Sequence, residues 1–457
     1  MEIAISSHPR LAASRLRRLA TDLTPPKLLA LGFVAVILAG ALLLTLPLAS
    51  ASGAPTGFLT ALFTATSAVC VTGLVVVDTG THFSPWGQFV ILGLIQTGGL
   101  SFMTMASFLF LLMGKRIGLR ERMLIRESLN QFDVAGMVRL VRTVLVYAFG
   151  AEALFAALLT LHWLPTFGWP RALWLGVFHA ISAFNNAGFD LMGEFRSLTG
   201  YADDAVVALA ISSLFMLGGI GFSVVLNLWE WRERRLSTHS RLALLVTATL
   251  IAGGTLLLLL FEWSNTLGPL SGSGRFLGAF FTAVTPRTAG FNVLDTAALR
   301  PATQFLIVIL MFIGASPGST GGGIKTTTFG LLTAAVWSQG KGRDDVVILG
   351  RRIPVDQVNR ALAVTFVSGG LVVLVTLLLC LTEGAEFLTV LFETVSAFGT
   401  VGLSMGITPK LSPLGQLLII LTMYAGRVGP LTLVFALAKS RRPQVNVKHV
   451  EDKVLIG

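Results

Sequence analysis

The chain has 457 residues, 54% of them hydrophobic and only 12% charged, with a mean hydropathy of +0.78. That composition excludes a soluble surface and marks an integral membrane protein. The formal charge of +11 would point to nucleic acid in a soluble protein; here an anionic lipid surface accounts for it, and no nucleic-acid partner is expected.

In chain order, a basic stretch from Arg10 to Lys27 precedes an apolar run and Ala49-Ser50-Ala51, a pattern that imitates a secretory signal. The run is about twice the length of a signal's apolar core, so a retained first helix is expected. Apolar runs then follow at Leu28–Leu48, Phe89–Met113, Val144–Leu161, Val206–Leu228, Leu242–Phe261, Phe305–Ile313 with its sequel, Val364–Leu381 and Leu417–Leu437. Most approach the ~20 residues a membrane-spanning helix needs, which predicts eight full spans. Between the members of each pair lies a shorter apolar segment: Phe58–Ser67, Leu173–Ser182, Phe276–Val284 and Phe387–Ser396. At about 1.5 Å per residue, such segments reach roughly half-way across a bilayer.

Each short segment runs into a glycine followed by Leu or Phe: Gly73-Leu74, Gly188-Phe189, Gly290-Phe291 and Gly402-Leu403. The four copies align on the glycine without a gap, at spacings of 115, 102 and 112 residues. Non-helical backbone at membrane depth is tolerated only where protein or water satisfies its amides, so four such segments point to one shared aqueous path. The predicted fold is an all-α integral membrane protein with four M1-P-M2 repeats in a pseudo-fourfold arrangement around a central pore. It has eight spanning helices and four re-entrant P helices. The repeats are placed at 25–115, 136–232, 240–338 and 357–440, with cytosolic tails at 1–24 and 441–457. With both termini cytoplasmic, 26 of the 34 Lys and Arg fall in the tails, with Lys27 and Lys439 at their edges, and in the segments near 115–142, 232–241 and 341–360. This asymmetry fits the positive-inside rule.

A monovalent cation stripped of water needs several oxygens presented together, and backbone carbonyls supply them without a full charge. Glycine allows the φ/ψ values that turn successive carbonyls toward an axis. The expected ligands are the carbonyls of Val71, Thr72 and Gly73; Asn186, Ala187 and Gly188; Thr288, Ala289 and Gly290; and Thr400, Val401 and Gly402. A second feature is Gly314-Ala315-Ser316-Pro317-Gly318-Ser319-Thr320-Gly321-Gly322-Gly323, too rich in Gly and Pro for regular helix. A phosphate-binding loop is disfavoured because Ile324 separates Gly323 from Lys325. A passive kink that aids helix packing stays open at this point.

The four glycine loops, together with Gln96–Thr104, Leu217–Phe222, Gly314–Thr326 and Gly426–Thr432, resemble the Ktr/Trk/HKT superfamily of potassium transporters over about Thr24 to Ala438. The KtrB-type membrane subunit is the nearest branch. The resemblance implies a potassium-selective filter, since Gly73 stands where sodium-selective plant members carry Ser. It also implies that Gly314–Gly323 is an intramembrane gating loop beneath the filter, with Arg427 just below the filter and Lys325 toward the cytoplasmic half. By the same resemblance the protein is a plasma-membrane homodimer on a cytosolic ring of nucleotide-binding KTN (RCK) subunits. Nucleotide then binds the partner and no cofactor this chain, with sodium left open as an activator.

Asp78, Asp190 and Asp295 follow their filter glycines and are candidates for raising cation concentration at an outer mouth, or ordinary loop carboxylates. Glu152 and Glu393 are candidates for bracing a filter loop by accepting backbone amides, with Arg287 as their counter-ion. Two isolated Cys and six His without ligand spacing suggest no metal, haem or disulfide, and no catalytic pair stands out, so no enzyme is expected. A coupled secondary transporter is the other class, but such folds favour inverted two-fold repeats.

Overall fold

The computed structural model describes residues 25–101, 137–231, 235–343 and 345–429, with Thr104 and Met123. Both predicted tails, the continuation of the first repeat to 115, most of the basic 115–142 segment and the end of the fourth repeat lie outside these residues. So do Phe102, Met103 and Pro430–Thr432 of the quoted motifs.

Four times a long helix, a short helix, a glycine loop and another helix follow one another. The first unit has α1 (Pro25–Leu44), α2 (Phe58–Val69) and α3 (Pro85–Gly99). The second has α4 (Met137–Phe167), α5 (Trp169–Phe184), α6 (Ala205–Gly219) and α7 (Phe222–Trp229). The third has α8 (Thr238–Glu262), α9 (Gly272–Val284), α10 (Pro301–Phe312) and α11 (Thr326–Gly340); the fourth has α12 (Val355–Thr382), α13 (Phe387–Gly399) and α14 (Pro413–Val428). A two-residue-per-strand hairpin, β1 (Val347–Ile348) and β2 (Arg351–Arg352), joins the last two units.

Among the described residues, the helices long and apolar enough to cross a membrane alone are those that open each unit. Within the described residues the closing helices of the four units are shorter or broken. α6 and α7 pass only if taken together, and they bend by 96° at Ile220-Gly221; the third unit's closing helix is broken between Phe312 and Thr326. All four short helices are present and run two to six residues longer than expected, at 12, 16, 13 and 13 residues.

In every unit the closing helix starts against the C-terminal end of the long one. Pro at the first helical position preorganises α3, α10 and α14, and a side chain caps α3, α6 and α14. The Ser84 hydroxyl donates to the Leu48 carbonyl, and His162 pairs with the α6 cap Asp204 at 2.6 Å. Glu262 accepts from the Arg300 amide and Thr303 hydroxyl, and Glu383 from the Ser412 amide and hydroxyl. Different residues thus make one recurrent tie. Deeper down, the closing helix presses on the end of its own short helix. A Cβ on Gly98, Gly218 or Gly426 would overlap the carbonyl oxygen of Val69, Phe184 or Phe398 respectively. Glycine there permits a close backbone approach that no side chain would allow.

Candidate functional site

The four glycine loops meet in a closed ring. A Cβ on Gly73 would come within 2.6 Å of the Ala187 carbonyl oxygen, and one on Gly188 within 3.0 Å of the Ala289 oxygen. One on Gly290 would overlap the Val401 oxygen, and one on Gly402 the Thr72 oxygen, closing the circle in chain order. Each glycine therefore abuts the residue that precedes the glycine of the next unit. All four have positive φ, at +91°, +68°, +79° and +95°.

The residue two before each glycine is also left-handed: Val71 at 50°, Asn186 at 58°, Thr288 at 75° and Thr400 at 51°, with negative φ at the residue between. Asn tolerates this region, but for β-branched Val and Thr it is a genuine outlier, of order 1–3 kcal/mol each. The alternation turns successive peptide planes the same way, and the surroundings hold it in place. Ser67 and Ser396 hydroxyls accept from the amides of Gly73 and Gly402 at 3.0 and 3.1 Å. The Ser182 hydroxyl donates to the Phe189 carbonyl at 2.7 Å, and Thr285 does the same to Phe291 at 2.5 Å.

Thr285 departs from the pattern of the other three units. In units one, two and four the bracing Ser lies six residues before the glycine, but Val284 occupies that place in unit three. There the short helix ends early at Val284, Pro286 follows, and Thr285 supplies the hydroxyl from five residues away. The ring itself keeps register because Thr288 retains the left-handed turn.

On one side of the ring stands the glycine-rich segment of unit three. It starts and ends at a bridge between Ile313 and Ile324. A Cβ on Gly321 would overlap the Thr288 hydroxyl, and one on Gly322 the Thr400 hydroxyl, so the segment rests directly on ring side chains. Asn186 and Thr288 are themselves hydrogen-bonded at 3.1 Å. The segment is also docked on the break between α6 and α7. Ser316 and Thr320 amides donate to Gly219 and Gly218 carbonyls at 3.1 and 3.2 Å, and the Phe222 amide to Gly318 at 2.8 Å. Gly221, at φ +94°, would drive a Cβ within 2.6 Å of the Pro317 oxygen.

Two cations hold this segment through its carbonyls. The Arg427 guanidinium donates to Thr320, and to Gly98 and Gly99 of α3 at 2.5 and 3.2 Å. The Lys325 ammonium donates to the Gly321 carbonyl at 2.7 Å. The structure thus brings together both predicted cations and the predicted loop. It adds three groups absent from the sequence reading: the α3 carbonyls, the α6–α7 break and the bracing hydroxyls. A repeated Gly-Gly pair at 98–99 and 218–219, and Ser six residues before three of the glycines, were the available signals.

The proposed bracing by Glu152 and Glu393 is corrected in its chemistry. Neither accepts a backbone amide of a glycine loop: Glu152 takes Gln96 and Asn185 side-chain amides, and Glu393 takes the hydroxyls of Ser404 and Thr408. Arg287 pairs with neither carboxylate. Because α9 has already ended, its side chain leaves the ring toward α8, where it donates to Thr247 at 3.1 Å.

Past the glycines, Asp78 is buried and accepts from the amides of Thr81 and Phe195, while Asp295 is exposed and closes a local turn on Ala297. Asp190, in the loop, accepts from the Met192 amide at 3.0 Å. Desolvation pushes its carboxyl up to about 7; the Met192 bond opposes this and the Asp78 charge adds to it.

The profile of the TrkH family, described as a cation transport protein, matches residues 29–448. The Ktr system potassium uptake protein B of Bacillus subtilis (strain 168) is 45% identical over 437 residues, covering 95% of this chain and 97% of that protein. The potassium/sodium uptake protein NtpJ of Enterococcus hirae is 41% identical over 450 residues, covering 96% and 99%. The crystal structure of the potassium transporter TrkH from Vibrio parahaemolyticus has the same fold, with a TM-score of 0.69 at 19% identity over 90% of this chain and 83% of that one. The chain therefore belongs to the TrkH/Ktr family, whose members are multi-pass membrane proteins that carry cations and are not enzymes.

Proposed function

We propose that the chain takes up potassium through a channel-like pore formed by four M1-P-M2 units in pseudo-fourfold order, eight membrane-crossing segments with four re-entrant helices. The closed ring of Gly73, Gly188, Gly290 and Gly402, each against the carbonyl of the next unit, carries this reading. The carbonyls of Val71, Thr72 and Gly73 and their counterparts in the other units form the selectivity filter, replacing ion hydration. Gly314–Gly323 is the gate, latched below the filter by Arg427 and Lys325, whose charges also oppose cation entry.

The protein sits in the plasma membrane with both termini cytoplasmic, as its basic segments favour. The names of its potassium uptake relatives support the choice of ion. A homodimer on a cytosolic KTN/RCK ring that binds the regulatory nucleotide, with sodium left open as an activator, completes the reading on family resemblance.

Purified protein in liposomes tests it through potassium and sodium fluxes with and without the partner. The expected current reverses near the potassium equilibrium potential, without proton or sodium coupling. Gly73→Asp, Gly188→Asp and Gly402→Asp abolish uptake or its ion preference. Unchanged selectivity in all three removes the filter assignment.

A further inference from the structure

Behind the second filter strand, where unit two meets unit one, lies a cluster of one carboxylate and two carboxamides. Glu152 of α4 is only 4% exposed and Asn185, three residues before Gly188, is fully buried. Gln96 of α3 donates to both carboxylate oxygens at 3.1 Å, and Asn185 donates to Glu152 at 3.0 Å and to the Gln96 oxygen at 2.8 Å. The other units carry Cys70, Arg287 and Gly399 at the position of Asn185, so no other strand has an amide there. Gln96 belongs to the last turn of α3, whose Gly98 and Gly99 carbonyls receive Arg427. Space for Asn185 beside that turn exists only because residue 99 lacks a Cβ.

A carboxylate taken this far from water needs donors on both oxygens, and removing it leaves those donors facing each other. We infer that Glu152 is a positioning residue for ion selectivity: it clamps Asn185 to the last turn of α3 and so fixes the carbonyls of Asn186 to Gly188. This rests on the filter reading above and names a determinant that lies outside the filter. Glu152 touches no ion, and its whole effect passes through Asn185. A residue serving only helix packing would alter the amount of folded protein, leaving the ion preference of the surviving molecules intact.

The experiment measures potassium-to-sodium permeability ratios from reversal potentials in liposomes. Wild type, Glu152→Gln, and the exchange variant Glu152→Gln with Asn185→Asp are compared. Glu152→Gln puts an amide nitrogen opposite the Gln96 donor and is expected to shift the ratio about tenfold toward sodium, the scale of one lost hydrogen bond. The exchange variant restores one carboxylate and two carboxamides to the same space, and most of the ratio returns. A ratio in Glu152→Gln equal to wild type overturns the inference, and so does a shifted ratio that the exchange leaves uncorrected. The wild-type ratio by itself judges the potassium reading, so the two failures are separable.

Discussion

At the residue scale, the ring glycines face two demands that only glycine meets together. Left-handed backbone costs other L-residues about 1–2 kcal/mol, and the neighbouring unit's carbonyl occupies the place of a Cβ. Gly290→Ala, the mildest change, should therefore lower potassium flux at least about tenfold and narrow the preference over sodium, as isotope uptake into liposomes would show. Asp190 gives a pH signature. Its carboxyl, raised to about 7 chiefly by desolvation, is charged above that pH and neutral below it. A negative mouth concentrates cations, so uptake at limiting potassium should fall as outer pH drops from about 8 to about 6. Asp190→Asn should be low and flat across the range; a retained slope assigns the titration elsewhere.

At the scale of elements, two breaks in closing helices cooperate, and they were unequally legible. Five glycines and Pro317 within ten residues made the break in unit three plain from composition. The 96° bend between α6 and α7 lay hidden in an apolar run, because three glycines barely lower its hydropathy and the bend is fixed by bonds to a loop far along the chain. The short helices were legible from apolar length, whereas the early end of α9 was not, since aligning on glycine concealed the shift from Val284 to Thr285. Long-range partners explain the remaining misses: Glu152 reaches the Gly188 loop through side chains of two units, which spacing along the chain does not encode. Docking also carries a prediction. Three backbone hydrogen bonds, each worth about 1 kcal/mol, join the glycine-rich loop of unit three to the α6–α7 break. Gly221→Ala would push against Pro317 and weaken them, raising basal potassium flux about tenfold without the partner. Flux at the wild-type level would show that the gate does not depend on this dock.

At the scale of the whole molecule, all four units build the ring, but the proposed gate is asymmetric: a loop from unit three, an arginine from unit four and carbonyls from unit one. Selectivity and gating should separate wherever the two assemblies do not touch. Arg427→Gln removes charge-assisted bonds worth about 1.5–3 kcal/mol each in net terms. Basal flux should then rise at least about tenfold, with a much smaller change in the potassium-to-sodium ratio. Gly73→Ala should do the reverse, changing the ratio with the latch intact. Combining these two substitutions should give additive free-energy effects, since they alter different assemblies. Thr288 and Thr400 are where separation should fail, because their hydroxyls meet Gly321 and Gly322. A double-mutant cycle between Thr400→Ala and Arg427→Gln should show coupling of about 0.5–3 kcal/mol in both flux and ratio. Additivity there would mean that the loop rests on the filter without influencing it, and the gate would have to act by blocking space alone.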